Sequence, residues 1–210
     1  MPDQNNGIDC CAVILSGGLN TRMKGVNKAF LKIGGRYILD RLVESLRPDF
    51  SEILLVTRQP ELYSGYSLRV VEDIYKDRSS LVGIHAGLVN ARADFAFMVP
   101  CDTPFLQTGL VDLLLDELEP GLDVVVPFYD GHYQPLCAIY SKRCISVIED
   151  QLSQGQYKII DIYEQMNVRV VPAEKLQAAD PEMLSFLNVN TPDAHAACQK
   201  LAAEPSHRNG

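Results

Sequence analysis

The sequence predicts an α/β protein with a mostly parallel, mixed β-sheet. Three observations predict it. Short apolar runs alternate with amphipathic helical patterns, the early runs are apolar at nearly every position, and Asp130-Gly131 marks a later turn between extended segments. Strands that are apolar on both faces belong to parallel sheets covered by helices, and a tight turn adds an antiparallel part.

The run 11–15 ends in Ser16, Gly17 and Gly18 and reads as a buried strand that feeds a loop. Residues 37–46 place Ile38, Leu39, Leu42, Val43 and Leu46 at helical spacing, and Pro48 ends that helix. Residues 53–56 and 68–71 are the next two strands, the second closed by Glu72 and Asp73. A helix is expected over 81–91, then a fourth strand over 95–99 that runs into Pro100, Cys101, Asp102, Thr103 and Pro104. Thr108 is the expected N-cap of a helix over 109–118, stopped by Pro120 and Gly121. Residues 123–126 and 133–140 extend the sheet. Helices are expected over 141–152 and 158–166, strands over 168–171 and 184–189, and a last helix over 192–201 with Thr191 as its cap. No repeat, low-complexity tract or linker divides the chain, so 8–203 reads as one domain, with 1–7 and 204–210 as flexible termini.

Apolar residues make up 47% and charged residues 22%, enough for a sizeable core. No apolar run reaches the roughly 18 residues a membrane span needs. Residues 1–9 lack the basic and apolar regions of a signal peptide, so a soluble, cytoplasmic protein is expected. Six cysteines show no C-x-x-C spacing, and most lie in apolar segments; reduced structural thiols are expected. The formal net charge of −8 opposes nucleic-acid binding. Against that background, Arg22, Lys24, Lys28 and Lys32 fall within eleven residues without an acidic neighbour. Such a cluster is either a solvated basic loop or a pocket for a small polyanion.

Ligands of open α/β sheets bind beyond the carboxyl ends of the strands, and three candidate segments lie there. In the first, Gly17 and Gly18 let a backbone approach phosphate and expose N–H donors, while Arg22 and Lys28 add charge. The glycines alone equally fit a plain turn, and neither G-x-G-x-x-G nor G-x-x-x-x-G-K-[ST] is present. In the second, Asp73 ends a strand and suits either a base or ribose contact or a surface turn. In the third, Asp102 sits between Pro100 and Pro104, which stiffen the segment; it suits a Mg²⁺–triphosphate complex or a turn. Asn188 and Asn190 are expected on one side of a short strand, as polar ligands or as turn residues. The four histidines show no ligand spacing, and no local Ser/His/Asp or Cys/His set is present.

In this order, these segments resemble the nucleotidyltransferase family that contains the molybdenum cofactor guanylyltransferases. The likeness runs from Cys11 to about His195. It rests on L-[AS]-G-G-x-x-x-R-M-x-x-x-x-K at Leu15 to Lys28, Glu72-Asp73, P-C-D-x-P at Pro100 to Pro104, Gln134-Pro135, and N-[IV]-N-T-P at Asn188 to Pro192. Three positions depart from the pattern: Asn27 where Asp is usual, Lys24 where Gly is frequent, and Ser79-Ser80-Leu81-Val82-Gly83 for G-P-L-A-G.

The resemblance implies a three-layer Rossmann-like nucleotidyltransferase fold and transfer of GMP from GTP to a molybdopterin-type (Mo/W) cofactor. Leu15, Ser16, Gly17, Gly18, Lys28, Asp73 and Asp102 would bind nucleotide, and Arg22, Lys28 and Asp102 would serve catalysis. Asp102 would hold Mg²⁺, and Asn188 and Asn190 would face the acceptor. Cofactor-delivery proteins and acceptor molybdoenzymes are the implied partners, without nucleic acid or membrane. A related cytidylyltransferase or other small-molecule nucleotidyltransferase, and a non-catalytic nucleotide-binding regulator, are the rival readings.

Overall fold

The computed structural model describes residues 9–17, 27–72, 75 and 79–204. In chain order the elements are β1 (Cys10–Ser16), β2 (Lys32–Ile33), β3 (Arg36–Tyr37), α1 (Ile38–Leu46), β4 (Ile53–Thr57), β5 (Arg69–Glu72) and α2 (Ser80–Asn90). They continue with β6 (Phe95–Pro100), α3 (Thr108–Asp116), β7 (Val124–Tyr129), β8 (His132–Tyr133), β9 (Ala138–Ser141) and α4 (Cys144–Ser153). The chain closes with β10 (Val168–Val171), α5 (Ala173–Ala179) and α6 (Pro192–Ala203).

The main sheet has the order β10-β7-β9-β6-β1-β4-β5, with β8 paired to β7. β1 pairs in parallel with both β4 and β6, and β4 with β5. β9 is antiparallel to β6 and to β7, which gives the mixed half of the sheet. From β1 the chain builds outward to β4 and β5 on one side, then returns to place β6 on the other. The strand order therefore reverses between β1 and β6, and the divergent connections leave a crevice at the carboxyl ends there.

The near-continuous apolar strands are explained by the layers. In β1, Cys10, Ala12 and Ile14 pack into one core with α1, α3 and α6, whereas Cys11, Val13 and Leu15 pack into a second core with α2 and α4. β6 divides in the same way, with Phe97 and Val99 on one face and Ala96 and Met98 on the other. Side chains alternate along a strand, so a strand covered on both faces must be apolar at every position. α2 approaches β1 closely at Gly87, where a Cβ would lie 2.7 Å from Val13 Cγ1. Each buried strand thus holds its neighbours in register, and its carboxyl end is presented as a fixed edge.

Several expectations need correction. The stretch 184–189 is not a strand but a 3-10 turn, Leu184–Phe186, followed by irregular chain. The Asp180 carboxylate accepts from the Leu184 and Ser185 N–H groups at 3.0 and 2.8 Å and winds this segment up. The helix expected over 158–166 is a 3-10 helix, Ile159–Gln165, whose isoleucines are stiff β-branched residues with reduced α-helix preference. The strand expected over 133–140 is interrupted before Ala138, where Pro135 has no N–H for a ladder. Residue 141 ends β9, and α4 begins only at Cys144. Thr108 is the first helical residue rather than the cap, which is Gln107. Thr191 does cap α6, accepting from Ala194 N–H at 3.1 Å.

The sequence pattern does not announce the β2–β3 hairpin, turned by Gly34 and Gly35 at positive φ, α5 after Pro172, or the 3-10 helices Lys28–Phe30 and Pro60–Tyr63. Residues 1–8 and 205–210, most of the expected flexible termini, lie outside the described residues. Among the described residues, no helix is long and apolar enough to cross a membrane. All six cysteines are free thiols. Burial pushes Cys11, Cys137 and Cys144 up to about 12, which keeps them neutral at physiological pH.

Candidate functional site

The carboxyl ends of β1 and β6 lie side by side, with Leu15 opposite Pro100. The ladder continues one step beyond the strands, because Cys101 N–H donates to the Leu15 carbonyl at 3.0 Å. That bond places Asp102 at the mouth of the crevice. Its own carbonyl accepts from Val189 N–H at 2.9 Å, which ties the 188–190 segment to the same edge. The Thr103 hydroxyl donates to Asn188 Oδ1 at 3.0 Å, a second tie between the two segments.

Lys28 comes from the segment that begins at Asn27. It opens a 3-10 turn, Lys28–Phe30, that Asn27 caps by accepting from Ala29 N–H at 3.1 Å through Oδ1. Lys28 Nζ then donates to Asp102 Oδ2 at 2.9 Å and to Asn190 Oδ1 at 2.5 Å. The Lys28 and Asp102 side chains are only 17% and 12% exposed, so the pair is largely withdrawn from water. A charge-assisted bond in such a place is strong, but desolvation offsets much of its worth to folding. One ammonium thus spans two oxygens brought from positions 102 and 190.

The end of β1 is also pinned. Ser16 Oγ and the Tyr63 hydroxyl are 2.5 Å apart, and Asn27 Nδ2 donates to the same phenol at 2.9 Å. Tyr63 is completely buried and stacks on Phe30, with ring centroids 5.2 Å apart. Burial pushes its hydroxyl pKa above the ordinary tyrosine value, so it stays protonated. The Cys101 thiol next to Asp102 is pushed up to about 11 by burial and by the carboxylate, which leaves it a poor nucleophile.

Of the residues singled out from the sequence, Lys28, Asp102 and Asn190 meet directly, and Asn188 is joined through Thr103. The two asparagines share this location through an irregular segment rather than through one face of a strand. Ser16 and Gly17 stand at the end of β1. The Leu15 side chain turns away under α2, where Gly83 leaves it room, so Leu15 offers this edge only backbone. Gly18, Arg22 and Asp73 lie outside the described residues. The sequence reading missed Thr103, Tyr63 and the capping role of Asn27. Thr103 carried a signal in its place between Asp102 and Pro104, whereas Tyr63 carried none, lying 47 positions from the serine it contacts.

Among the described residues, no group of three or more His, Cys, Asp or Glu side chains is placed to hold a metal ion. A closed protein-only metal site is therefore not built by them. The edge instead presents hard oxygen atoms, a cation and exposed loop backbone, a set suited to a phosphate group that brings further oxygens of its own.

Comparison with known proteins shows the family to which the chain belongs. The pattern of the MobA-like NTP transferase domain matches residues 12–170. A molybdenum cofactor guanylyltransferase from Desulfosudis oleivorans is 40% identical over 179 residues, 85% of this chain and 89% of that protein. A probable molybdenum cofactor guanylyltransferase from Clostridium perfringens is 34% identical, covering 86% and 91%. The crystal structure of molybdopterin-guanine dinucleotide biosynthesis protein A from Archaeoglobus fulgidus superposes with a TM-score of 0.81 at 28% identity, covering 91% of this chain and 97% of that one. The chain belongs to the MobA-like NTP transferase family, and its mixed, mostly parallel sheet is that family's nucleotidyltransferase fold.

Proposed function

We propose that the chain transfers GMP from GTP to the terminal phosphate of a molybdopterin-type cofactor, with release of pyrophosphate. The observation that carries this reading is the meeting of Lys28, Asp102 and Asn190 at the β1–β6 edge, beside the start of the glycine turn. The named function of the relatives supplies the base and the acceptor.

In this scheme the acceptor phosphate is already anionic at neutral pH and needs little help from a general base. The α-phosphorus–oxygen bond to the acceptor forms as the bond to pyrophosphate breaks. Catalysis is positioning and charge neutralisation. Lys28 turns from its carboxylate partner towards the departing phosphate oxygens. Gly17 offers backbone N–H, and Ser16 a hydroxyl. Arg22, Gly18 and Asp73 would complete the nucleotide contacts, and Asn188, held by Thr103, would face the acceptor.

The donor set fits Mg²⁺. Asp102 gives a carboxylate and Asn190 an amide oxygen; both contact Lys28 Nζ and so lie within reach of a single cation. Two protein oxygens with phosphates and water are the usual Mg²⁺ arrangement. When bound there, Mg²⁺ would neutralise charge on the triphosphate. The protein would work in the cytoplasm, take its acceptor from a delivery protein and pass the product to a molybdoenzyme.

Pyrophosphate release with GTP, Mg²⁺ and molybdopterin-type acceptor tests the reading. Release is expected with GTP well above CTP or ATP. A clear CTP preference would overturn the guanylyl assignment, and no release with any nucleotide would overturn the transfer itself.

A further inference from the structure

The site contains a hydrogen-bond chain whose first link, from Asn27, has its direction fixed by its atoms. Asn27 caps the Lys28–Phe30 turn by accepting from Ala29 N–H. A backbone N–H can only donate, so the atom it meets is the amide oxygen. That fixes the flip of the amide and turns Nδ2 towards Tyr63, where it donates to the phenol at 2.9 Å. The phenol already accepts one bond and keeps a single proton of its own.

Two oxygens near the Tyr63 hydroxyl could receive that proton. The Thr57 hydroxyl lies beside it and accepts from Gln59 N–H at 3.2 Å, so it has its own proton to donate to the phenol. Ser16 Oγ is 2.5 Å away and, among the described residues, accepts from no backbone group. With the phenol accepting from Asn27 and from Thr57, its own proton is left for Ser16, and the chain that satisfies all four groups runs from Asn27 to Tyr63 to Ser16. A serine oxygen that accepts from Tyr63 still holds its own proton, and its inner neighbour for that proton is the Cys101 sulfur. A neutral thiol is a weak acceptor, so the proton is loosely held. Ser16 is half-buried at the end of β1, one residue before the exposed Gly17.

We propose that Asn27 and Tyr63 are positioning residues that hold the Ser16 hydroxyl as an outward hydrogen-bond donor to an anionic oxygen of the bound nucleotide. This rests on the nucleotidyltransferase reading of the same edge. Aspartate at position 27 would preserve the turn, because a carboxylate also accepts from Ala29 N–H. It would reverse the chain, however. With two acceptors facing it, the Tyr63 proton goes to the new carboxylate, Ser16 must donate inward to the phenol, and Ser16 presents a lone pair to the nucleotide.

The charge that Asn27→Asp adds near Lys28 would also oppose a triphosphate, and a double-mutant cycle separates the two causes. Nucleoside triphosphate affinity is measured for the wild type, Asn27→Asp, Ser16→Ala and the double variant, each with its melting temperature. A hydrogen bond to a charged group corresponds to roughly tenfold in affinity or more. Asn27→Asp is expected to weaken binding about tenfold with Ser16 present and less than about twofold in the Ser16→Ala background. An equal loss in both backgrounds would overturn the proposal in favour of simple charge repulsion.

Should Asn27→Asp fail to fold, Tyr63→Phe replaces it in the same cycle. Removal of the phenol frees the serine to rotate, and its cost should likewise vanish with Ser16→Ala. Binding without pyrophosphate release by the wild type would defeat the transfer reading while the cycle still decides this one. A wild type that bound no nucleoside triphosphate would overturn both.

Discussion

The two ends of the β1–β6 pair show what separates a site from a scaffold. At the amino end, Cys10 and Cys11 are buried, and Phe95 N–H donates to the Asp9 carbonyl at 3.3 Å. The charged group there, Glu52, pairs with Arg69 and Arg92, whose side chains are 41% and 82% exposed. Such pairs are screened by water and contribute roughly 0–1 kcal/mol each. At the carboxyl end, the same two strands deliver Ser16 and Asp102, and Lys28 meets Asp102 almost out of solvent. Glu52 is itself only 16% exposed, but both of its cationic partners are open to water. At the second end both partners are largely withdrawn from water, so desolvation offsets much of the pair's worth to folding, as expected of charges that the proposed function assigns to a ligand.

The comparison breaks most visibly if the two acids are exchanged for their amides. Asp102→Asn keeps the shape of the edge but removes a charge at the end where the proposed function places the reaction. A loss of transfer on the order of 10²–10³-fold is expected by analogy with removal of one charge-stabilising contact. Glu52→Gln should leave the rate unchanged and shift stability by no more than about 0.5–1 kcal/mol. Initial rates and thermal melts of the two variants check this together, and a comparable rate loss in both would erase the distinction between the ends.

A smaller effect belongs to the amino end. Burial, reinforced by Glu52, raises the Cys11 thiol from 9.0 to about 12 in the folded chain. The folded protein therefore keeps a proton that the unfolded chain gives up near pH 9. The stabilisation is complete below about pH 9 and is lost as pH rises from there to about 12, at roughly 1.4 kcal/mol per pH unit for one such thiol. Melting temperatures between pH 8 and 11 should fall, and Cys11→Ala should make the fall shallower. An unchanged slope would show that the thiol is not shielded.

The sequence made the scaffold legible where period and composition speak locally. Runs such as 11–15, 53–56 and 95–99 are apolar at every position because both faces are covered, and each became a strand. It misled where one side chain redirects the backbone, as Asp180 does by winding 184–186 into a 3-10 turn. At the site, Lys28, Asp102 and Asn190 were recognisable as residue types in a suggestive order. Their meeting across 74 and 162 positions was not, since only the packed sheet brings those segments together. Tyr63 illustrates the limit: a tyrosine in a polar stretch gives no local sign that it will lie wholly buried beneath Ser16.

The central claim is that the Lys28–Asp102–Asn190 cluster and the turn after β1 receive one nucleoside triphosphate. A crystal structure with a non-hydrolysable GTP analogue and Mg²⁺ tests it most directly. Metal on Asp102 and phosphates within hydrogen-bond reach of Lys28 are expected. Triphosphate bound at another edge of the sheet, with the Lys28–Asp102 contact undisturbed, would contradict it.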